Sequence, residues 1–204
     1  MLKSDQIGPV EFITPLIGAH QGSNAALAIL MFHHWSATCH AGTFSPKHVE
    51  TGLAKVKWPG RLQVLESEPL TVIDVGHSPD GVRASLAALK EAFSDKRFVL
   101  VTGVSADKDA EGILSILCPA FENILCTRAH YRGNEAVKIA EIARMLNPAA
   151  KFSIAPTITE AIKKASAIAI REDLGIYVAG GMYLATEYGY ELRGGDARSL
   201  PHLF

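Results

Sequence analysis

The chain has 204 residues, of which 48% are hydrophobic, and a formal net charge of -1. A chain of this length can bury roughly 70% of its unfolded surface, which excludes a mainly disordered protein. The balanced charge excludes a strong field for nucleic acid or an acidic membrane, so neither is expected as a partner. The three unpaired cysteines, the lack of a signal sequence and the short longest apolar run, Ala25–Phe32, predict a cytoplasmic location.

Two helices are predicted before the region in which strands and helices alternate. The segments Asn24–Trp35 and Ser45–Val56 have helical spacing, and the second opens with a Ser-Pro start signal. The loop Ser36–Phe44 between them is a suitable domain junction. The predicted domains are therefore residues 1–42, which are helical, and residues 43–204.

Short apolar runs alternate with longer helical patterns from about residue 60 onward. The predicted strands are Arg61–Leu65, Leu70–Asp74, Phe98–Gly103, Asn123–Thr127, Phe152–Ala155 and Gly175–Ala179. The predicted helices are Asp80–Phe93, Lys108–Leu117, Glu135–Leu146, Ile158–Arg171 and Met182–Leu192. This alternation predicts an α/β fold, with a Rossmann-like, mostly parallel six-stranded sheet and helices on both faces.

The loop after the second predicted strand is the first candidate site, because ligands in open α/β sheets bind beyond the carboxyl ends of strands. Asp74 ends that strand, and His77 and Ser78-Pro79 follow it at a helix start. A helix N-terminus attracts phosphate or carboxylate, and an aspartate can accept hydrogen bonds from a ribose. Alternatively, Asp74 caps the next helix and His77 is a surface turn residue. The spacing alone leaves both interpretations open.

Other charged groups occur at predicted strand ends. Lys108 lies between Asp107 and Asp109, where it could bind a charged substrate, although a solvated first helical turn is the favoured interpretation. Arg128 follows the fourth strand and can bind a carboxylate with a forked guanidinium. Arg61 begins the first strand, where a phosphate partner is suitable.

Several nucleotide and metal motifs are absent from the sequence. It contains no GxxxxGK[ST] loop, no GxGxxG after a strand and no HExxH. Four residues that could bind a metal lie near one another, but their spacing matches no standard zinc pattern, so no metal site is predicted: His33, His34, Cys39 and His40. Cys118 and Cys126 have apolar neighbours and are expected to be inert core thiols.

The order of several motifs resembles one family, the folylpolyglutamate synthase/dihydrofolate synthase group of the Mur ligase superfamily. Gly52-Leu53-Ala54, Trp58-Pro59-Gly60-Arg61-Leu62 and Asp74-Val75-Gly76-His77-Ser78-Pro79 are similar to the GLA…WPGR and DxAHNP segments of its C-terminal domain. The likeness continues through Asp107-Lys108-Asp109, Thr127-Arg128 and Val178–Leu184. Upstream, residues 15–28 are similar to the LxGxHQxxNAALA segment that closes the family's central ATPase domain, so residues 1–42 resemble the end of that domain.

The resemblance implies an ATP-dependent ligase that joins glutamate to a folate through an acyl phosphate. ATP and Mg²⁺ would be its cofactors, and ATP, glutamate and folate or dihydropteroate its small-molecule partners. By resemblance, Asn24 lies near the adenine, Arg61 reaches the phosphates and Asp74 holds the ribose side. Asp74 is expected at the sheet's edge, where its replacement would change stability little.

His77 matches the family's imidazole at the glutamate and acyl-phosphate side, so it is the catalytic candidate. The substrate-binding candidates are Ser78, Lys108 and Arg128. The chain departs from the family pattern at four positions: Ser78 replaces Asn, Gly76 replaces Ala, Gly181 replaces Ser and Ala19 replaces the usual Arg.

The family's phosphate loop, Mg²⁺-binding acids and modified lysine are absent from these 204 residues. The sequence therefore predicts the C-terminal portion of a ligase that is inactive alone. The alternative is a standalone non-catalytic domain that binds a nucleotide, an amino acid or a partner chain. An apolar face on the first helix, with Leu27, Leu30, Met31 and Trp35, is expected to need cover, because the family's central ATPase domain covers it. Either the helix docks onto the C-terminal domain or two chains bury it together, and a dimer is favoured.

Overall fold

A computed structural model describes residues 7–39 and 44–200 of the chain, which divides between Pro59 and Gly60 into two compact units. The first unit contains helices α1 (Ala19–Thr38) and α2 (Pro46–Ala54). Helix α2 therefore groups with α1 rather than with the sheet, whereas the sequence pattern placed the domain boundary at residue 42. His40 and part of the predicted junction lie outside the described residues.

The second unit contains six strands and five further helices. The strands are β1 (Gln63–Ser67), β2 (Leu70–Ile73), β3 (Phe98–Thr102), β4 (Asn123–Cys126), β5 (Lys151–Ile154) and β6 (Gly175–Ala179). The helices are α3 (Pro79–Ala92), α4 (Ala110–Leu117), α5 (Ala136–Leu146), α6 (Ile158–Glu172) and α7 (Met182–Leu192), with short 3₁₀ turns at Cys118–Ala120 and Ala197–Ser199.

The sheet has the strand order β1-β2-β6-β3-β4-β5. Strand β1 is antiparallel to β2, and the remaining neighbours are parallel, which confirms the predicted α/β, mostly parallel fold. The chain moves outward from β3 to β5 and then returns to β6. Because parallel crossovers are right-handed, that return puts α6 on the face opposite α3, α4 and α5, and α7 packs against α6.

The core lies on both faces of the two central strands. Every residue of β3 and β6 is buried, as their nearly continuous apolar sequences predict. Helix α6 packs alanines against this sheet, including Ala161, Ala165 and Ala169, so its main chain can approach the strands closely. Burial raises the pKa of both Cys118 and Cys126 to about 12, which keeps these core thiols protonated.

Element boundaries follow local chemistry that the sequence partly indicates. Thr157 caps α6, because its side chain accepts a hydrogen bond from the Glu160 N–H. Strand β1 begins at Gln63 instead of the predicted Arg61, because Leu62 has a φ of 42°, in the left-handed region. Helix α4 begins at Ala110 instead of Lys108, because Asp109 is its cap and accepts from the Gly112 N–H.

The apolar face predicted on α1 is exposed at three of its four residues, and Leu30 is half-buried. The exposed fractions are 59% for Leu27, 63% for Met31 and 50% for Trp35. Phe32 is also largely exposed, and its ring stacks on that of Trp35 with centroids 5.9 Å apart. Among the described residues, no helix is both long and apolar enough to cross a membrane.

Glu172 links the end of α6 to the amino-terminal ends of β4 and β5. Its hydrogen bonds make the stability of the fold depend on pH. Hydrogen bonds from Arg171 and Lys151 lower the pKa of its carboxyl from 4.5 to about 2. A lowered folded-state pKa stabilises the fold above the unfolded value of 4.5, and this contribution is lost as pH falls from about 4.5 to about 2. Glu172→Gln should therefore destabilise the protein at neutral pH and flatten its acid limb.

Urea denaturation at a series of pH values measures this effect. The matched control is Glu141→Gln on the exposed face of α5, which should leave the acid limb unchanged. An acid limb of wild-type slope in Glu172→Gln would contradict the assignment.

Candidate functional site

Four strand-end loops meet at one edge of the sheet, because β2, β6, β3 and β4 are consecutive neighbours. The carboxyl ends of parallel strands lie at the same edge, which is where α/β domains bind ligands. The loops are residues 74–78 after β2, 103–109 after β3, 127–135 after β4 and 180–181 after β6. They carry five of the predicted site residues, namely Asp74, His77, Ser78, Lys108 and Arg128.

Asp74 is buried, with 1% of its surface exposed, and its carboxylate accepts three hydrogen bonds. Its Oδ1 accepts from the Gly76 N–H at 2.8 Å and from the Ser85 hydroxyl at 2.7 Å. Its Oδ2 accepts from the Leu62 N–H at 3.1 Å. The carboxylate therefore joins the turn before α3, the body of α3 and the segment before β1.

This geometry corrects two expectations about Asp74. It is not a helix cap, because Ser78 caps α3 by accepting from the Gly81 N–H at 3.2 Å. It also does not follow an edge strand, because β2 lies between β1 and β6, and its side chain is enclosed. The structure therefore predicts a larger loss of stability than the sequence did, since removing the carboxylate leaves buried donors unpaired. Whether it also contacts a ribose stays a prediction.

Asp74 shapes the segment that carries Arg61. The Leu62 N–H that it binds is adjacent to Arg61, and Leu62 is held at a positive φ. The same segment is fixed again because the Val75 N–H donates to the Gly60 carbonyl at 2.8 Å. Arg61 is half-buried, and its guanidinium makes no ion pair with a described residue. The main chain on both sides of Arg61 is therefore fixed by hydrogen bonds, while its guanidinium stays available to a ligand.

His77 lies in the exposed turn between β2 and α3. Its Nδ1 is 3.1 Å from the Val75 carbonyl oxygen. A carbonyl oxygen can only accept, so the ring proton of a neutral His77 belongs on Nδ1. This assignment leaves Nε2 as a hydrogen-bond and proton acceptor that solvent or a substrate can reach.

Lys108 and Arg128 are both engaged by neighbouring acids. Lys108 is exposed and forms an ion pair with Asp107 at 3.0 Å, and this hydrogen bond is the main cause of the lowered pKa of Asp107. Arg128 is half-buried and forms an ion pair with Glu135. A cleft of about 630 Å³ opens beside Arg128, and it is also lined by His130, Thr157, Glu191, Asp196 and Arg198.

The main chains of neighbouring strand ends pack closely at this edge of the sheet. A Cβ on Gly103 would lie 2.4 Å from the Thr127 carbonyl oxygen, so a side chain there would collide with the loop after β4. Gly180 has a φ of 111° and would place a Cβ 2.7 Å from the Thr102 hydroxyl. These positions need glycine, because larger residues would separate neighbouring strand ends.

Glu187 on α7 is a residue that the sequence analysis missed. It is 4% exposed, and its carboxylate accepts from the main-chain N–H groups of His130 and Tyr131. Burial raises its pKa, while these two hydrogen bonds act in the opposite direction. Because Glu187 is separated from this loop by more than fifty residues, no local motif indicates the contact.

Asn24 lies on α1, in the first unit, and is described with that unit alone. It is exposed, and its side-chain N–H donates to Gln21 Oε1 at 3.2 Å. In residues 7–39 and 44–200, no group of three His, Cys, Asp or Glu side chains could hold a metal ion.

The mostly parallel sheet and the polar loops at its strand ends define an α/β domain with a candidate ligand-binding edge. The chain belongs to the Mur ligase family, because the family model for the Mur ligase glutamate ligase domain matches residues 60–182. This match begins at the first residue of the second compact unit.

Two relatives and one solved structure show which members of the family the chain resembles. Folylpolyglutamate synthase of Lacticaseibacillus casei is 29% identical over 197 residues, which are 95% of this chain and 43% of that protein. Dihydrofolate synthase/folylpolyglutamate synthase of Mycobacterium tuberculosis is 35% identical over 113 residues, 55% of this chain and 23% of that protein. The crystal structure of M. tuberculosis folylpolyglutamate synthase complexed with ADP and AMPPCP superposes with a TM-score of 0.83 and 28% identity, over 93% of this chain and 43% of that one. The chain thus spans less than half the length of these relatives.

The three hydrogen bonds of Asp74 generate a prediction about stability. Asp74→Ala should lower the free energy of unfolding by about 3 kcal/mol or more, because each unsatisfied buried donor costs about 1–3 kcal/mol. Asp74→Asn should cost less, because its remaining oxygen can still accept from Gly76 and Ser85. Asp80→Ala, in the first turn of α3, is the matched control, and its exposed ion pair should contribute less than about 1 kcal/mol. Urea denaturation would contradict the assignment if Asp74→Ala were as stable as Asp80→Ala.

Proposed function

We propose that the chain forms the C-terminal part of an ATP-dependent ligase that adds glutamate to folate or dihydropteroate. The supporting observation is that one sheet edge brings together the loops with His77, Lys108 and Arg128, while Asp74 holds the segment that carries Arg61. The similarity to folylpolyglutamate synthases supports the choice of substrates. No specific feature of the described residues favours a non-catalytic binding domain. A cytoplasmic location stays a prediction.

The described residues fit one part of an ATP site. Arg61 offers a guanidinium beside the strand-end loops, which suits a phosphate oxygen. The adenine contact of Asn24 is a separate proposal, which rests on the similarity of residues 15–28 to the family. Asp74 contributes by holding the main chain next to Arg61, because its carboxylate is buried and already hydrogen-bonded. Bound ATP would supply the phosphoryl group that activates the substrate carboxylate. The described residues contain no acidic cluster for Mg²⁺, so its ligands would come from the ATPase domain.

His77 is the proposed proton acceptor for the amine of glutamate. Its Nδ1 is engaged by the Val75 carbonyl, so Nε2 is the ring atom that can accept a proton. An attacking amine must lose a proton as the amide forms, and a positioned imidazole can take it.

Arg128 is the proposed contact for a carboxylate of glutamate, beside the cleft after β4. When the substrate binds, the Arg128 guanidinium would either release Glu135 or bind both carboxylates at once. Lys108 and Ser78 are proposed to add weaker polar contacts; the Ser78 oxygen accepts the α3 cap bond, and its hydroxyl proton can still be donated.

The exposed face of α1 is the proposed contact for a further protein surface. Leu27, Met31 and Trp35 expose large apolar areas on one helix. In this proposal an ATPase domain covers the face, and a homodimer is the alternative partner.

Nucleotide titration tests the assignment of Arg61. In calorimetry with Mg·ATP, Arg61→Ala should raise the dissociation constant roughly ten- to a hundredfold, because one charge-assisted hydrogen bond is lost. Arg97→Ala is the matched control: this arginine is exposed, is paired with Glu122 and precedes β3 at the opposite sheet edge. Equal affinities of the two variants would contradict the phosphate role.

Amide formation tests the role of His77. The chain alone should release no phosphate from ATP, folate and glutamate, because the phosphoryl group needs a cradle and a metal that these residues lack. After the ATPase domain of a relative is supplied, His77→Ala should lower the amide-forming rate by about a hundredfold or more and leave ATP affinity unchanged. His48→Ala, on exposed α2, is the control. An unchanged rate in His77→Ala would remove His77 from the mechanism.

A further inference from the structure

The loop after β4, residues 127–135, is anchored by a buried carboxylate on a distant helix. Glu187 Oε1 accepts from the Tyr131 N–H at 2.9 Å, and Oε2 accepts from the His130 N–H at 2.5 Å. Each carboxylate oxygen therefore receives one of two successive main-chain donors. A charged acceptor makes such bonds stronger than a neutral one does.

The same loop is held from its other side by the loop after β3. The Ala106 N–H donates to the Arg132 carbonyl at 2.9 Å, and the Asn134 N–H donates to the Val104 carbonyl at 3.0 Å. Main-chain bonds thus fix its second half, while Glu187 fixes the middle. Arg128 precedes the middle by two residues and faces the cleft.

The surroundings of Glu187 explain why this anchor depends on the carboxylate. The side chain is 4% exposed, so its charge is removed from most of its hydration. His130 on the loop favours the charged form, whereas Glu191, one helical turn along α7, opposes it. Two aligned N–H groups compensate for the lost water, and an amide side chain could offer an acceptor to only one of them.

We propose that Glu187 is a positioning residue, whose carboxylate fixes the main chain at His130 and Tyr131 and thereby the direction of Arg128. The role in glutamate binding rests on the proposed function, in which Arg128 binds a carboxylate of glutamate. Glu187 itself touches the loop rather than the ligand. It acts on the ligand through the arginine.

Amide hydrogen exchange in the full chain tests the anchor. Glu187→Gln should accelerate exchange at Tyr131 or His130 by about ten- to a hundredfold, because at least one charge-assisted bond is lost. Glu187→Asp keeps the charge but withdraws it by one methylene, so its effect should be intermediate. The matched control is Glu141→Gln, since Glu141 lies on the exposed face of α5 and does not line the cleft. Unchanged exchange at both amides in Glu187→Gln would overturn the proposal.

The side chain of Arg128 supplies the readout that separates positioning from general stability. Its Nε–H resonance should shift or broaden in Glu187→Gln and remain as in wild type in Glu141→Gln. An unchanged Arg128 resonance beside accelerated loop exchange would overturn the positioning role. L-glutamate should also bind Glu187→Gln about tenfold more weakly than wild type. If wild type itself binds no L-glutamate, the role proposed for Arg128 fails, while exchange and the Arg128 resonance still decide the positioning.

The wild-type protein gives a decision if Glu187→Gln does not fold. In a pH titration, the His130 and Tyr131 amide shifts should follow the Glu187 carboxyl-carbon shift with one common midpoint. Midpoints that differ from that of Glu187 would show that the carboxylate does not hold these amides, and would overturn the proposal.

Discussion

The hydrogen bonds accepted by the Asp74 carboxylate are the constraint on which the start of the α/β domain depends. They join the segment before β1, the turn after β2 and the middle of α3. A buried carboxylate is stable only where donors compensate for its lost hydration, so these three segments must keep their relative positions. The left-handed conformation of Leu62 and the placement of Arg61 follow from that requirement.

Glu187 is a second buried carboxylate that needs donors to compensate for its lost hydration, and it finds them in the loop after β4. Both acids are nearly excluded from solvent, and both are satisfied mainly by main-chain N–H groups rather than by cations. Neither buried acid pairs with these arginines: the Arg61 guanidinium makes no ion pair with a described residue, and Arg128 pairs with Glu135. The sheet edge therefore combines a rigid main chain with basic groups that a phosphate or carboxylate ligand can reach.

Local patterns were sufficient to predict the fold but not the buried carboxylates. Apolar runs predicted β3 and β6, and cap residues such as Thr157 predicted where helices begin, because these signals act within a few residues. The left-handed Leu62 shortened β1, and its cause lies twelve residues away at Asp74. Glu187 resembles any polar residue of a helix until the fold brings it to the loop after β4. The strand ends could be predicted as the site, but the groups that hold their loops could not.

The central proposal is that Asp74 affects a nucleotide through Arg61, and the ribose contact predicted from the sequence is the competing interpretation. A double-mutant cycle with Asp74→Asn, Arg61→Ala and the combined variant, read by Mg·ATP calorimetry, tests it directly. The account predicts that Asp74→Asn weakens Mg·ATP binding when Arg61 is present. In the Arg61→Ala background it should have no further effect. Losses that add in the double variant would contradict it, because they would require Asp74 to contact the nucleotide independently.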